Sequence, residues 1–239
     1  MSMLIEVWGD YACFTRPEMK TERVSYDMIT PSAARGLVEA IYWHPGLRYT
    51  VDRIYLLKPF GLDPEDEAST EEYTQRPIRF TNIRRNEVKD VISAQKVRAV
   101  MERRQGELYL ATPESIQQRA AMVLRNVRYV IDAHFDLVPQ QAAPGDNPGK
   151  FQDIVKRRLG RGQHYHQPCF GVREFPAQFA PCQDVPPCPE ELLGERDLGW
   201  MLLDMDYSDP QDIRPMFFRA VLQDGVLVVP PLGGEGVVR

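Results

Sequence analysis

The sequence predicts an α+β fold: a ferredoxin-like N-terminal domain with a split βαβ plan, followed by a small C-terminal antiparallel β domain. In the first three quarters of the chain, strand and helix patterns follow in the order strand, helix, strand, strand, helix, strand, with an extra helix and loop in the middle. A proline-rich stretch at 180–189 breaks this pattern. Beyond it, two apolar runs flank a Gln-Asp-Gly turn, which is typical of a β-hairpin. We therefore predict domains at 1–182 and 183–239.

The N-terminal part supplies the first strand, the first helix and the second strand. Residues 3–8 begin the chain with a strand pattern. Ser32 is the predicted N-cap of a helix whose apolar spacing continues until Pro45. Residues 49–57 then alternate as a half-buried strand. The acidic, low-complexity stretch 63–75 predicts a mobile loop.

The rest of the chain alternates in the same way. Strand-like patterns occupy 78–88, 123–137, 170–179 and 200–207. Helical spacing occupies 92–104 and a second helix that opens at Lys150 after Asn-Pro-Gly and ends in a Gly-Arg-Gly turn. The C-terminal hairpin is predicted from the strands 217–222 and 226–229.

The net charge of −5 conceals a segregation of charge along the chain. Residues 79–104 carry eight Lys/Arg against three acids, and residues 117–173 carry nine against four. Residues 63–72 carry six acids and no base, and residues 184–212 carry nine acids against Arg196. This pattern favours one face for a polyanion, although charge runs are also typical of solvated surfaces.

Several classes of protein are disfavoured by composition. No apolar run approaches the roughly 20 residues that a membrane span needs, and the N-terminus lacks the order of a secretion signal. We therefore expect a cytoplasmic protein without membrane contact. The cysteines Cys13, Cys169, Cys182 and Cys188 form no CxxC pair, so free thiols in a reducing compartment are a better interpretation than a zinc site.

The common catalytic motifs are absent from the sequence. It contains no Walker lysine loop, no GxGxxG after a strand, no GxSxG and no HExxH. Its acids lie in loop-like runs rather than in the cluster that a two-metal nuclease requires. Tyr, Lys, Arg and His in basic surroundings remain, and these groups suit RNA cleavage by the substrate's own 2′-OH without metal or cofactor.

Two residues, Tyr42 and Lys150, are candidates for catalysis. Tyr42 follows the first helix, where an aromatic side chain is more often part of the core than catalytic. Lys150 opens a helix, where the helix dipole disfavours a cation, so its presence is a weak sign of a functional role. The apolar periodicity alone does not decide whether Tyr42 and Lys150 are structural or catalytic residues.

Further motifs carry a resemblance to a known family. They lie at 8–17, 25–26, 31–36, 41–43, 82–87, 118–120, 147–150 and 167–175. Together they resemble the CRISPR-associated "Cas-five" family, in the d branch that belongs to the subtype I-C interference system. The motifs extend from the start of the chain to the proline-rich boundary.

The resemblance implies a RAMP-type ferredoxin-like fold and an endoribonuclease that cuts CRISPR precursor RNA at the base of each repeat hairpin. It implies products with a 2′,3′-cyclic phosphate and a 5′-hydroxyl, and a protein that stays on its product as a subunit of the surveillance complex. The family's catalytic trio is a tyrosine, a lysine and a histidine directly after that lysine. Tyr42 and Lys150 match the first two, whereas Phe151 occupies the histidine position.

A phenyl ring cannot exchange a proton, so another group must act if the histidine's role is kept. The candidates are His44, His164 and His166, each of which is also readily explained as a surface or sheet residue. Phosphates of the repeat RNA would be held by a set of arginines. This set comprises Arg84, Arg85, Arg157, Arg158 and Arg161.

Two alternatives remain beside the nuclease. The chain could be a binding module that caps the 5′ end of the guide RNA, with slow or absent cleavage. A small-molecule enzyme on a similar sheet has only the versatility of such folds in its favour.

Overall fold

One large, mostly antiparallel sheet organises the chain. The computed structural model describes residues 2–19, 21–58, 78–103 and 106–239, and ten strands in this part of the chain join a single hydrogen-bonded sheet. The strands are β1 Met3–Ala12, β2 Arg23–Val24, β3 Leu47–Leu56, β4 Phe80–Val88, β5 Ile116–Leu137, β6 Gln178–Cys182, β7 Glu195–Asp206, β8 Arg214–Gln223, β9 Val226–Val228 and β10 Val237–Val238. The described residues therefore form a mixed α/β fold with a dominant sheet and few helices.

The centre of the sheet has the strand order β3-β5-β1-β6, and each neighbouring pair is antiparallel. The 22-residue strand β5 pairs with β1 and β3 through its second half. Ile131 faces Ile5 on one side and Ile54 on the other, and all three side chains are completely buried. This row of branched side chains forms the middle of the core.

Residues 116–120 of β5 extend beyond the core and pair with β4 as a two-stranded arm. Along β4, exposed residues alternate with half-buried ones, and residues 116–120 of β5 show the same pattern. Burial of β5 begins at Ala121, where the strand also pairs with β2, and Asn126 further along has a φ of 51°. The sequence placed the start of β5 at residue 123 because the arm lacks the apolar run of a core strand.

Four α-helices are present among the described residues. They are α1 Pro31–Ile41, α2 Ala94–Arg103, α3 Thr112–Ser115 and α4 Pro148–Arg161. Helices α1 and α4 contribute Leu37, Val38, Phe151 and Val155 to the core that also contains the central strands. The apolar stripes of both helices thus pack against the sheet.

The N-cap of α1 is Thr30, which corrects the prediction of Ser32. The Thr30 hydroxyl accepts a hydrogen bond from the backbone N–H of Ala33, and Pro31 takes the first helical position. Proline is favoured there because its missing N–H would have no partner within the helix. The helix ends at Ile41, four residues before the proline that was expected to stop it.

The strand predicted at 170–179 is wrong for most of its length. Phe170 forms a close turn, in which its N–H donates to the carbonyl of Phe175 and its carbonyl accepts from the N–H of Cys13. Gly171 has a φ of +82°, which is incompatible with a regular strand. Strand β6 begins at Gln178 and pairs with β1 within the proline-rich stretch.

The C-terminal hairpin is confirmed. Strands β8 and β9 are joined by Asp224 and Gly225, which both have positive φ as a tight hairpin turn requires. Strand β9 also pairs with β3, so Leu227 lies opposite Ile54. The C-terminal strands therefore extend the central sheet, and the division into domains 1–182 and 183–239 stays a prediction.

Two further predictions concern residues that lie outside the described ranges. The acidic stretch 63–75 lies outside them, as does Arg104 at the end of the predicted second helix. Among the helices of the described ranges, none combines the length and apolarity needed to cross a membrane.

A Gly171→Ala substitution should destabilise the fold. The added Cβ would lie 2.1 Å from the carbonyl oxygen of Cys13, at a positive φ. We expect a loss of about 2–4 kcal/mol in the free energy of unfolding, measured by urea denaturation. Gly36 in α1 is the control, because a Cβ there meets open space. Gly36→Ala should instead gain about 0.5–1 kcal/mol, and equal effects of the two changes would contradict the reason given.

Candidate active site

Tyr42 is held at the point where α1 ends. It is the C-cap of the helix, its N–H donates to the carbonyl of Val38, and its backbone is already extended. The guanidinium of Arg158 lies 4.9 Å from the centre of the Tyr42 ring, and its Nη1 donates to the carbonyl of Ile41 over 2.8 Å. Helix α4 therefore fixes both the backbone and the ring at this end of α1.

Lys150 lies in the first turn of α4. The side chain of Asn147 caps this helix by accepting the N–H of Lys150 over 2.9 Å, and Pro148 takes the first helical position. The Lys150 side chain is 48% exposed. The next residue, Phe151, is completely buried, and Nζ of Lys150 lies 5.6 Å from the centre of its ring.

Phe151 packs between two rings from the segment after α1. Its ring centre lies 6.3 Å from that of Tyr42 and 4.9 Å from that of His44. The side chain at this position therefore faces the core, and His44 contacts it directly. The structure brings together Tyr42, His44, Lys150 and Phe151 from the sequence-predicted set.

His44 is oriented by its own loop. Its Nδ1 accepts the N–H of Gly46 over 3.1 Å, so the neutral ring carries its proton on Nε2. Nε2 lies 3.8 Å from Oδ2 of Asp146. The neutral imidazole thus offers a donor and not an acceptor on its outer side.

Asp146 is a site residue that sequence reasoning missed. Its Oδ1 lies 2.7 Å from Nζ of Lys150, its Oδ2 accepts the N–H of Ala143, and its side chain is 1% exposed. The hydrogen bond with Lys150 lowers the pKa of Asp146 and raises the pKa of Lys150. The only sequence signal was an acid four residues before the lysine, just outside the helix.

The phenol of Tyr42 stays protonated at neutral pH. Burial raises its pKa above the ordinary value of 10.0, while Arg158 and Lys150 act in the opposite direction. Tyr42, His44 and Lys150 therefore each present a hydrogen-bond donor. Clustered donors of this kind suit an anion whose charge increases during reaction, such as a phosphate under attack.

The other predicted histidines lie in the segment that follows α4. The exposed His164 packs on Phe179, with ring centres 6.3 Å apart. His166 packs on Tyr165, with ring centres 4.3 Å apart. The backbone N–H groups of Tyr165 and His166 both donate to the carbonyl of Ala40, which keeps His166 beside the end of α1.

The predicted arginines fall into two groups. Arg157 and Arg161 are exposed on α4, and Arg158 is half-buried against Tyr42. Arg84 and Arg85 lie on the arm strand β4, where Arg85 contacts Glu87 and is largely covered. Within the described ranges, no group of three or more His, Cys, Asp or Glu side chains could hold a metal ion.

Comparisons with known proteins agree with the motifs. Residues 2–230 match the family described as CRISPR-associated protein (Cas_Cas5), with the label Cas_Cas5d. The chain is 47% identical over 240 residues to the CRISPR pre-crRNA endoribonuclease Cas5d of Mannheimia succiniciproducens, covering 98% of this chain and 97% of the relative. It is 36% identical over 247 residues to the protein of the same name from Thermus thermophilus, covering 95% and 90%.

A solved structure supports the fold. The crystal structure of a CRISPR-associated protein superposes with a TM-score of 0.66 at 18% identity, covering 100% of this chain and 97% of that chain. The same overall architecture therefore occurs in a protein whose sequence has diverged far from this one.

Replacing Asp146 by Asn should lower the pKa of Lys150. The carboxylate stabilises the ammonium form, so its loss should return the pKa toward the ordinary value of about 10.4. The measurement is an NMR titration of ¹³C-dimethylated lysines, with Lys150→Arg used to assign the signal. Asp153 is exposed on the same helix, so Asp153→Asn should leave the Lys150 titration unchanged. An unshifted Lys150 in Asp146→Asn would refute the pairing.

Proposed function

The chain belongs to the CRISPR-associated Cas5 family, in its d branch, and we propose that it is a metal-independent endoribonuclease of CRISPR precursor RNA. It would cut at the base of the repeat hairpin, leave a 2′,3′-cyclic phosphate and a 5′-hydroxyl, and stay bound to its product in a surveillance complex of subtype I-C. Two relatives that align over nearly the full chain carry the name of pre-crRNA endoribonuclease, which supports RNA cleavage at the level of the family.

The observation that carries the proposal is the meeting of Tyr42 and Lys150 at the junction of α1 and α4. These residues are 108 positions apart in sequence, and Phe151 and Arg158 of α4 hold the Tyr42 ring beside the helix that bears Lys150. If Tyr42 were only a core residue and Lys150 only a surface residue, nothing would require them to lie at the same helix junction. The pair gives the substrate phosphate two donors in one place.

Lys150 would stabilise the negative charge that develops on the phosphate as the 2′-oxygen attacks. Asp146 engages Nζ through one hydrogen bond, and an ammonium group has three, so donors remain for two phosphate oxygens. Because its pKa is raised, Lys150 is cationic throughout the neutral range. A cation in this place acts on the transition state, where the charge is greatest.

Tyr42 would position the 2′-OH, and His44 would act on the leaving oxygen. The protonated phenol can donate to a phosphate oxygen while its own oxygen accepts from the 2′-OH. His44 can donate from Nε2 to the 5′-oxygen as the P–O bond breaks. Solvent water accepts the proton of the 2′-OH and supplies one to the 5′-oxygen, while the neutral His44 keeps its own proton and contributes a hydrogen bond.

The wider features of the fold are consistent with this function. We propose that the antiparallel order β3-β5-β1-β6 with α1 and α4 is the ferredoxin-like unit of a RAMP-type protein, the fold of many RNA-binding domains. Arg84, Arg85, Arg157, Arg158 and Arg161 would contact RNA phosphates. All four cysteines are free thiols, in keeping with the cytoplasm as the place of action.

A second candidate is a binding subunit that caps the 5′ end of the guide RNA without cutting it. The observation in its favour is Phe151, which fills the histidine position of the family with a completely buried ring. A histidine at this depth would face Tyr42 and the core, and among the candidate replacements we favour His44, whose ring contacts Phe151. Cleavage assays separate the two candidates.

The test uses the repeat RNA of the same CRISPR locus in EDTA, with and without a 2′-deoxy nucleotide at the scissile position. We expect cleavage in EDTA that the deoxy substitution abolishes, and a loss of about 10²–10³-fold in rate for Lys150→Ala. The matched control is Lys156→Ala, an exposed lysine on the same helix, which should cut at nearly the normal rate. Tight binding without cleavage would favour the capping subunit, and full activity of Lys150→Ala would remove Lys150 from the site.

The pH dependence of cleavage follows from the protonated roles of Tyr42 and Lys150. Both pKa values lie above the ordinary 10.0 of tyrosine and 10.5 of lysine, and a raised pKa extends the protonated form to higher pH. The single-turnover rate should therefore not fall between about pH 6 and about pH 9.5. A fall beginning near pH 8 would show that one of the two acts with a much lower pKa.

A further inference from the structure

An exposed aromatic surface lies next to the candidate active site and has no role in the chemistry above. It consists of Trp43, which is 54% exposed, and Tyr165, which is 64% exposed. Trp43 directly follows Tyr42 in the chain, and Tyr165 is joined through its N–H to the carbonyl of Ala40, two residues before Tyr42. Both aromatic residues thus flank the end of α1 that presents the phenol of Tyr42.

The Tyr165 ring is held in a defined position although it is exposed. The N–H groups of Tyr165 and His166 donate to the same carbonyl of Ala40, over 2.9 and 3.0 Å. The rings of Tyr165 and His166 pack edge to face with centres 4.3 Å apart. Gly162 ends α4 in the left-handed conformation and turns the chain toward this position. An exposed ring with two backbone anchors offers a ready surface for another flat group.

The charge around Tyr165 favours a nucleic acid as that partner. The 20 residues from 154 to 173 contain five Lys/Arg and two histidines and no acid. Arg158 donates to Ile41 and covers one face of Tyr42, which links this basic segment to the site. Aromatic side chains within basic surroundings are how proteins hold unpaired bases next to a bound phosphate backbone.

We propose that Tyr165 and Trp43 form a stacking subsite for an unpaired RNA base that flanks the scissile phosphate. The subsite rests on the proposed function, because it supposes that the scissile phosphate lies at Tyr42 and Lys150. In-line attack by a 2′-oxygen requires that the two nucleotides joined by the scissile bond leave regular helical stacking. A base held on Tyr165 compensates for the stacking lost in that distortion.

Binding of an uncleavable RNA tests the subsite separately from cleavage. The RNA carries a 2′-deoxy nucleotide at the scissile position and 2-aminopurine placed in turn at each unpaired position beside the hairpin. We expect one position to lose fluorescence on binding and Tyr165→Ala to abolish that change and weaken binding by about 5- to 150-fold. Tyr165→Phe should restore both, because the ring and not the hydroxyl makes the contact.

Matched variants separate stacking from charge and from general surface effects. Tyr207 is 62% exposed and lies directly after β7, so Tyr207→Ala should bind RNA normally. Arg161→Ala should reduce the slope of log Kd against log salt by about one, whereas Tyr165→Ala should leave that slope unchanged. Urea denaturation of each variant checks that the fold is retained.

The outcomes also distinguish the subsite from the nuclease proposal. Normal binding and normal 2-aminopurine quenching by Tyr165→Ala would overturn the subsite even if the protein cuts RNA. A Tyr165→Phe variant as weak as Tyr165→Ala would overturn stacking in favour of a hydroxyl contact. A protein that binds and quenches but cuts no RNA would leave the subsite standing and remove the nuclease.

Discussion

The antiparallel pairing of β5 with β1 is the constraint on which the rest of the structure depends. Strand β5 hydrogen-bonds to β1, β2, β3 and β4, so a shift in its register would displace half of the sheet. Because side chains alternate across a strand, a shift by one residue would also turn Ile131 away from the core. Helix α1 follows β2, which also pairs with β5, and helix α4 follows β5, so the position of β5 also affects where Tyr42 and Lys150 lie.

The sequence predicted the parts of the fold that depend on local chemistry. The hairpin at Asp224 and Gly225 was predicted because these residue types readily adopt the positive φ that its turn requires. The start of α4 was predicted because Asn147 and Pro148 are typical of a helix N-terminus. The turn around Phe170 was missed because its hydrogen bond with Cys13 joins residues 157 positions apart. Apolar residues in such a turn show the same pattern as a short strand.

The candidate site was harder to predict from the sequence than the fold was. Tyr42 and Lys150 are individually ordinary, and only the family resemblance selected them. Asp146 was missed because its spacing indicates only a pair with Lys150 four residues on, whereas its approach to His44 joins residues 102 positions apart. His44 could be named as a substitute for the absent histidine, but its contact with the Phe151 ring sets it apart from His164 and His166.

The arm formed by residues 116–120 of β5 and the part of β4 that pairs with them is attached to the rest of the fold at one end. Its fixed end lies at Ala121 and Met122, where β5 also pairs with β2 and burial begins, and its free end consists of a single pair of strands. A two-stranded ribbon with both faces largely open is easily bent, because it lacks the packing that stiffens a covered sheet. The position of its tip is therefore set by whatever it contacts, whereas the buried part of β5, from Ala121 onward, is fixed by its packing.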